Sequence, residues 1–217
     1  MKNYSEKLAR RLKKNPRTKV PDEADNPILT VILDTYHVFD TGARMELEEE
    51  EFKRQSKICC ADGCIACCLR PMVPATEIEI LGLWWFLLTR VNSDIRELVI
   101  QRLLERKQSP ECPFLINEHC SVYPMRPLAC RILHVFTRPC DKEEYIYQSR
   151  REDVWSPSQE TGRKSAVILL DYYGFKSLKD KVKAYKEGFI PAQSRFMPDY
   201  NWEGLIKIYR EGPPVKK

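Results

Sequence analysis

Five thiols fall within ten residues, in Cys59-Cys60-Ala61-Asp62-Gly63-Cys64-Ile65-Ala66-Cys67-Cys68. A side chain that oxidises and binds metals is not packed this densely to fill a core, because apolar residues do that without the reactivity. The stretch reads as a metal nest. Thiols two or three residues apart can turn toward one ion or cluster without stretching the backbone, and Gly63 supplies a residue that accepts positive φ. Neighbouring residues point apart, so Cys67 and Cys68 are expected to serve different ions, different iron atoms, or a ligand and a wall.

A second group of thiols follows a long insertion: Cys112 in Cys-Pro-Phe-Leu, then Cys120, Cys130 and Cys140. Prolines 110, 113, 124, 127 and 139 favour loop geometry here, so the wrap around a metal needs no sheet. The candidate ligands are Cys60, Cys64, Cys67, Cys68, Cys112, Cys120, Cys130 and Cys140, which would fill two four-ligand sites or one site plus spare structural thiols. Cys59 is set aside. All-sulfur ligation suits Zn²⁺ or an iron–sulfur cluster and disfavours Mg²⁺ and Ca²⁺, which want oxygen.

The series Cys60, Cys64, Cys67-Cys68, Cys112-Pro113-Phe114-Leu115, Cys120, Tyr123, Arg126-Pro127 and Cys130-Arg131 resembles the CxxCxxCC-type cysteine-cluster family, described as a zinc- or iron-chelating domain. The resemblance spans about residues 58 to 135 and implies a bound metal without a settled reaction. Its usual core has two residues in the first gap. Here there are three, between Cys60 and Cys64, which weakens the carry-over to Cys60 most.

Three other chemistries fit the residues less well. Cys60-x3-Cys64-x2-Cys67 has the spacing of the triad in radical S-adenosylmethionine enzymes, which leave one iron of a cluster open. Those enzymes carry an aromatic where Ala66 stands, and they need βα units downstream, where this chain shows helices, prolines and more thiols. Nine cysteines, two pairs of them adjacent, make a poor disulfide framework. Crowded thiols would also expose a low-pKa nucleophile of a Cys/His pair to oxidation.

The 217 residues suit one decorated domain, expected to be a mainly α, small helical domain wrapped around a loop-rich cysteine site. The longest apolar run, Ile80 to Leu88, falls short of the roughly 20 residues a spanning helix needs. Residues 1–20 hold eight Lys and Arg against Glu6, with no apolar core behind them, so no secretory signal is expected. A cytoplasmic location follows, where thiols stay reduced. The net charge of +5 sits in this leader while the body is nearly neutral. No aromatic-studded basic face accompanies it, so nucleic-acid binding is expected to be weak at most.

The expected organisation is a basic flexible leader over 1–27, a cysteine-cluster domain over 28–140 and a helical C-terminal extension over 141–217 that packs on it. Ile28, Val31, Ile32 and Phe39 predict a helix, on which Asp34, His37 and Asp40 share a face as an acid/base trio or as plain solvated positions. Residues 43–57 predict another helix. Thr76-Glu77-Ile78-Glu79 fits a capping box, followed by an apolar helix from Ile78 to about Thr89. Asn92-Ser93-Asp94 restarts a helix with a stripe of Ile95, Leu98, Val99, Leu103 and Leu104, which returns Cys112 toward Cys68.

Arg126 and Arg131 flank Cys130 and either offset thiolate charge or form structural ion pairs. His119 and His134 are candidate donors beside the ligands, and Tyr123 is expected to hydrogen-bond a loop carbonyl. Residues 141–163 read as a linker. Helical segments are expected at 166–173, 176–185 and 202–209. Ligand softness and the irregular spacing favour an iron–sulfur carrier or redox module with an unknown protein partner. A structural zinc domain that mediates protein contacts is the alternative, and an open-cluster enzyme a further one.

Overall fold

The computed structural model describes residues 2–60, 63–69, 72–105, 111–142 and 144–212. Pro110, one of the prolines expected to favour loop geometry, lies outside them. The described residues are mainly helical, with two small antiparallel strand pairs. No described helix is long and apolar enough to cross a membrane.

The leader differs from the flexible segment expected. Residues Lys2–Lys14 form helix α1, and Leu8 is buried with 1% of its surface exposed. Arg11 pairs with Glu48, and Tyr4 and Ser5 hydrogen-bond to Thr161 and Glu160. The two helices predicted over 28–39 and 43–57 are one, α2 (Pro27–Arg54), which starts on Pro27 and ends on Gln55 at φ 51°. A Cβ at Gly42 would lie 2.8 Å from Thr161 Oγ1 and 2.9 Å from the Tyr4 hydroxyl. Glycine here is what lets α1, α2 and α7 (Gln159–Leu169) meet.

Strand β1 (Pro74–Ala75) leads into α3 (Glu77–Arg90). Glu79 reaches back to the Thr76 N–H at 2.8 Å, as a capping box predicts, and the Thr76 hydroxyl donates to the same oxygen at 2.9 Å. Ile80, Leu83, Trp84 and Leu87 bury against Val99, Ile100 and Leu103 of α4 (Ser93–Leu104), whose N-terminus Asn92 caps by accepting from the Asp94 N–H. The predicted stripe on α4 is shifted: Leu98 and Leu104 are exposed and Ile100 is buried.

The expectation of a wrap without strands is corrected by β2 (Leu115–Ile116) pairing with β3 (His119–Cys120). Asn117 and Glu118, both at positive φ, make the tight turn between them. Beyond α5 (Leu128–Arg131), the span expected to be a linker carries α6 (Ile146–Ser149) and the start of α7. Next come α8 (Leu178–Lys186), α9 (Phe189–Ala192) and β4 (Arg195–Phe196), which pairs with β1. In α10 (Trp202–Glu211), Trp202 packs between Trp84 and Phe114, at ring-centroid distances of 6.3 and 5.8 Å, so the C-terminal helix closes the main core.

Candidate metal centre

Hydrogen bonds between distant segments bring the early and late thiol groups together. The Cys59 N–H donates to the Val135 carbonyl at 2.8 Å, and the Cys112 N–H to the Cys68 carbonyl at 2.7 Å. Gly63, at φ 81°, turns the chain between Cys60 and Cys64, and Ala66–Cys68 form a single 3₁₀ turn. The β2–β3 register sets Cys120 opposite Leu115, whose N–H is held by the Cys112 carbonyl at 3.0 Å. Cys130 rides on α5. The first N–H of that helix, from Leu128, is taken by Glu79 at 2.8 Å.

All nine thiols are free. Burial raises the pKa of Cys60, Cys112, Cys120, Cys130 and Cys140, and the charge of Cys67 adds to each of these shifts and to that of Cys68. The Cys68 thiol donates to Cys67, which lowers Cys67 to about 7 and pushes Cys68 up. Burial raises Cys60 to about 11 and Cys112 to about 12, and it also raises Cys130. These are thiols that burial keeps from ionising, a penalty that a bound metal would offset. Cys64 and Cys67 are exposed and Cys112 is buried, so the group runs from the surface inward.

Arg126 lies 3.9 Å over the Tyr123 ring, and its charge lowers the pKa of Cys67, Cys120 and Cys130. Arg131 is the structural one of the two. It is buried, pairs with Asp40 at 2.5 Å, donates to the Arg126 and Pro124 carbonyls and covers the Tyr36 ring at 4.0 Å. The Asp34–His37–Asp40 trio is thereby dispersed, because Asp34 is also committed, to Arg17 at 2.6 Å. Tyr123 is half-exposed and serves as the platform for Arg126. His119 is exposed on β3. His134 places Nε2 3.0 Å from the Arg131 carbonyl, with a buried Nδ1 that has no hydrogen-bond partner.

Arg150 is not among the candidates that residue spacing singles out. Its guanidinium reaches Cys140 Sγ at 3.8 Å, Glu144 at 2.9 Å and Asp153 at 2.5 Å, while Asp153 accepts the N–H groups of Phe136 and Thr137. Burial, and then the charge of Cys67, raises the pKa of Tyr147, which places α6 near the thiols. The family resemblance ended near residue 135, short of this network.

Residues 58–155 match the CxxCxxCC family model. That family is described as a "Putative zinc- or iron-chelating domain". No curated protein and no solved structure matches the chain. The matched segment begins just before the cysteine nest and ends past Arg150 and Asp153, so it takes in the network that holds Cys140. Its cysteines offer the soft sulfur donors that zinc and iron take. Among the described residues, no three His, Cys, Asp or Glu side chains already stand together as a ligand cage.

Proposed function

We propose that the CxxCxxCC segment binds iron as an iron–sulfur cluster and works as a cytoplasmic carrier or redox module that passes it, or electrons, to a protein partner. Cys60, Cys64, Cys67, Cys68, Cys112, Cys120, Cys130 and Cys140 are the proposed thiolate ligands. The observation that carries this reading is the pair of backbone hydrogen bonds, Cys59 to Val135 and Cys112 to Cys68, that join the early thiol group to the late one. Bound there, an iron–sulfur cluster would supply one-electron transfer. The protein's own part is to hold the sulfurs and set the charge around them. Arg126 and Arg150 place guanidinium charge beside thiolates, which offsets their mutual repulsion and favours the more reduced state of whatever they bind.

A structural zinc site is the second reading. It is favoured by how few backbone bonds join the cysteine loops, such as Cys59 to Val135 and Cys112 to Cys68, so that a metal staple would add much to the fold. The open-cluster enzyme has less support, since the described strands after Cys67 form only antiparallel pairs and no βα series. Anaerobic purification followed by metal and acid-labile sulfide analysis decides between the first two. Brown protein with iron and sulfide supports the cluster, colourless protein with zinc supports the staple, and protein free of both metals overturns the proposal.

A further inference from the structure

A cleft of about 530 Å³ opens between α5, α9 and β4, within the roughly 300–1,000 Å³ range of small-molecule sites. Leu128, Ile132, Ile190 and Phe196 give it apolar walls. Three charged residues line it: Glu79, Asp199 and Arg195. Asp199 and Arg195 are exposed, whereas Glu79 is 3% exposed and forms the buried end.

Among the described residues the donors to Glu79 are neutral: the Thr76 N–H and hydroxyl on one oxygen, the Leu128 N–H and the more distant Tyr36 hydroxyl, at 3.4 Å, on the other. Arg131, which covers the Tyr36 ring, is spent on Asp40 instead. Two carboxylates against one guanidinium leave the cleft net negative. The guanidinium is at the solvated mouth, where its field is screened, while one carboxylate is deep among apolar walls, where it is not. A buried anion held only by neutral dipoles is stabilised by any cation that reaches it.

We propose that this cleft binds a small organic cation, an amine on an apolar body, with the ammonium toward Glu79 and Asp199 and the body along Ile132, Ile190 and Phe196. Its α5 wall also carries Cys130, so the cleft borders the thiol group, but the proposal does not depend on which metal the thiols hold.

Benzylamine and its neutral analogue benzyl alcohol, titrated into the full-length protein as purified and followed by amide chemical shifts, test this. Benzylamine should saturate at residues of the cleft and bind about tenfold or more tightly than the alcohol, as a charge-assisted contact requires. Glu79→Gln should remove that preference and leave alcohol binding unchanged. Asp199→Asn, at an exposed position that does not endanger folding, should weaken the amine alone. Equal affinities for the two probes, shifts confined to other surfaces, absence of saturation, or an Asp199→Asn protein with unaltered amine preference would each overturn the assignment. Metal content, measured on the same samples, separates this outcome from the fate of the metal reading.

Discussion

The Cys112 N–H meets the Cys68 carbonyl at 2.7 Å, and this bond joins the cysteine nest to the thiols that follow α3 and α4. The two side chains are also coupled, since charge at Cys112 raises the pKa of Cys68. Loss of either sulfur should therefore be felt in binding and folding together. Cys68→Ser and Cys112→Ser are expected to lower metal per chain by about half or more and to reduce the melting temperature in parallel. Cys59→Ser, whose thiol donates to the Phe136 carbonyl, should leave metal content unchanged. Elemental analysis beside thermal denaturation checks all three.

Arg150 supports Cys140 from a position the proposed ligands do not include. Replacing it by Met strips a donor from Asp153, which is 2% exposed, and from Glu144. A buried acceptor left short of its donor costs about 1–3 kcal/mol. The variant should unfold at lower denaturant concentration and retain less metal, whereas Arg138→Met, at an exposed arginine that pairs with the same Glu144, should change little. Equal effects from the two substitutions would remove Arg150 from its assigned role.

Acid stability should carry the mark of Glu23. The Arg17 guanidinium holds its pKa down to about 2, from an ordinary value of 4.5, with help from the Val20 N–H and the Thr30 hydroxyl. A carboxylate depressed in the folded state contributes stability that is complete above its unfolded pKa. That contribution is lost as the pH falls through the folded value. Wild type should thus lose stability between about pH 4.5 and about pH 2 more steeply than Glu23→Gln, and the gap between them should be widest near neutrality. Melting curves across that range test the sign.

What the sequence disclosed follows from where the information is local. The Thr76/Glu79 capping box, the Asn92 cap and the cysteine spacing are written within a few residues of one another. The helix α1 shows a stripe of Tyr4, Leu8 and Leu12, but its many lysines and arginines read as a solvated leader, and the partners that hold it lie far away on α2 and α7. The β2–β3 turn uses Asn117-Glu118 in place of a glycine, which hides the hairpin signal. Arg150 sits in a polar run that reads as linker, and only Asp153 and Glu144 folding back upon it turn that run into a support for Cys140. On α4 the buried face is chosen by contact with the rest of the core, so Ile100 goes in and Leu98 stays out.

The crossing at Gly42 gives the sharpest packing test. Alanine in a helix interior is favoured over glycine by about 1 kcal/mol, so on propensity alone Gly42→Ala should stabilise α2. The added methyl would stand 2.8 Å from Thr161 Oγ1, which is itself tied to Tyr4 and Glu46, and 2.9 Å from the Tyr4 hydroxyl. Neither neighbour is the free end of a long side chain, and overpacking of this kind costs about 1–3 kcal/mol. The clash should win, with a net loss of about 1 kcal/mol and a loosened α1, seen as faster amide exchange around Leu8 but not in α4. Adding Tyr4→Phe, which removes the hydroxyl in the way, should return part of the loss; a double variant less stable than the sum of the two single changes would show that the methyl meets something other than this crossing.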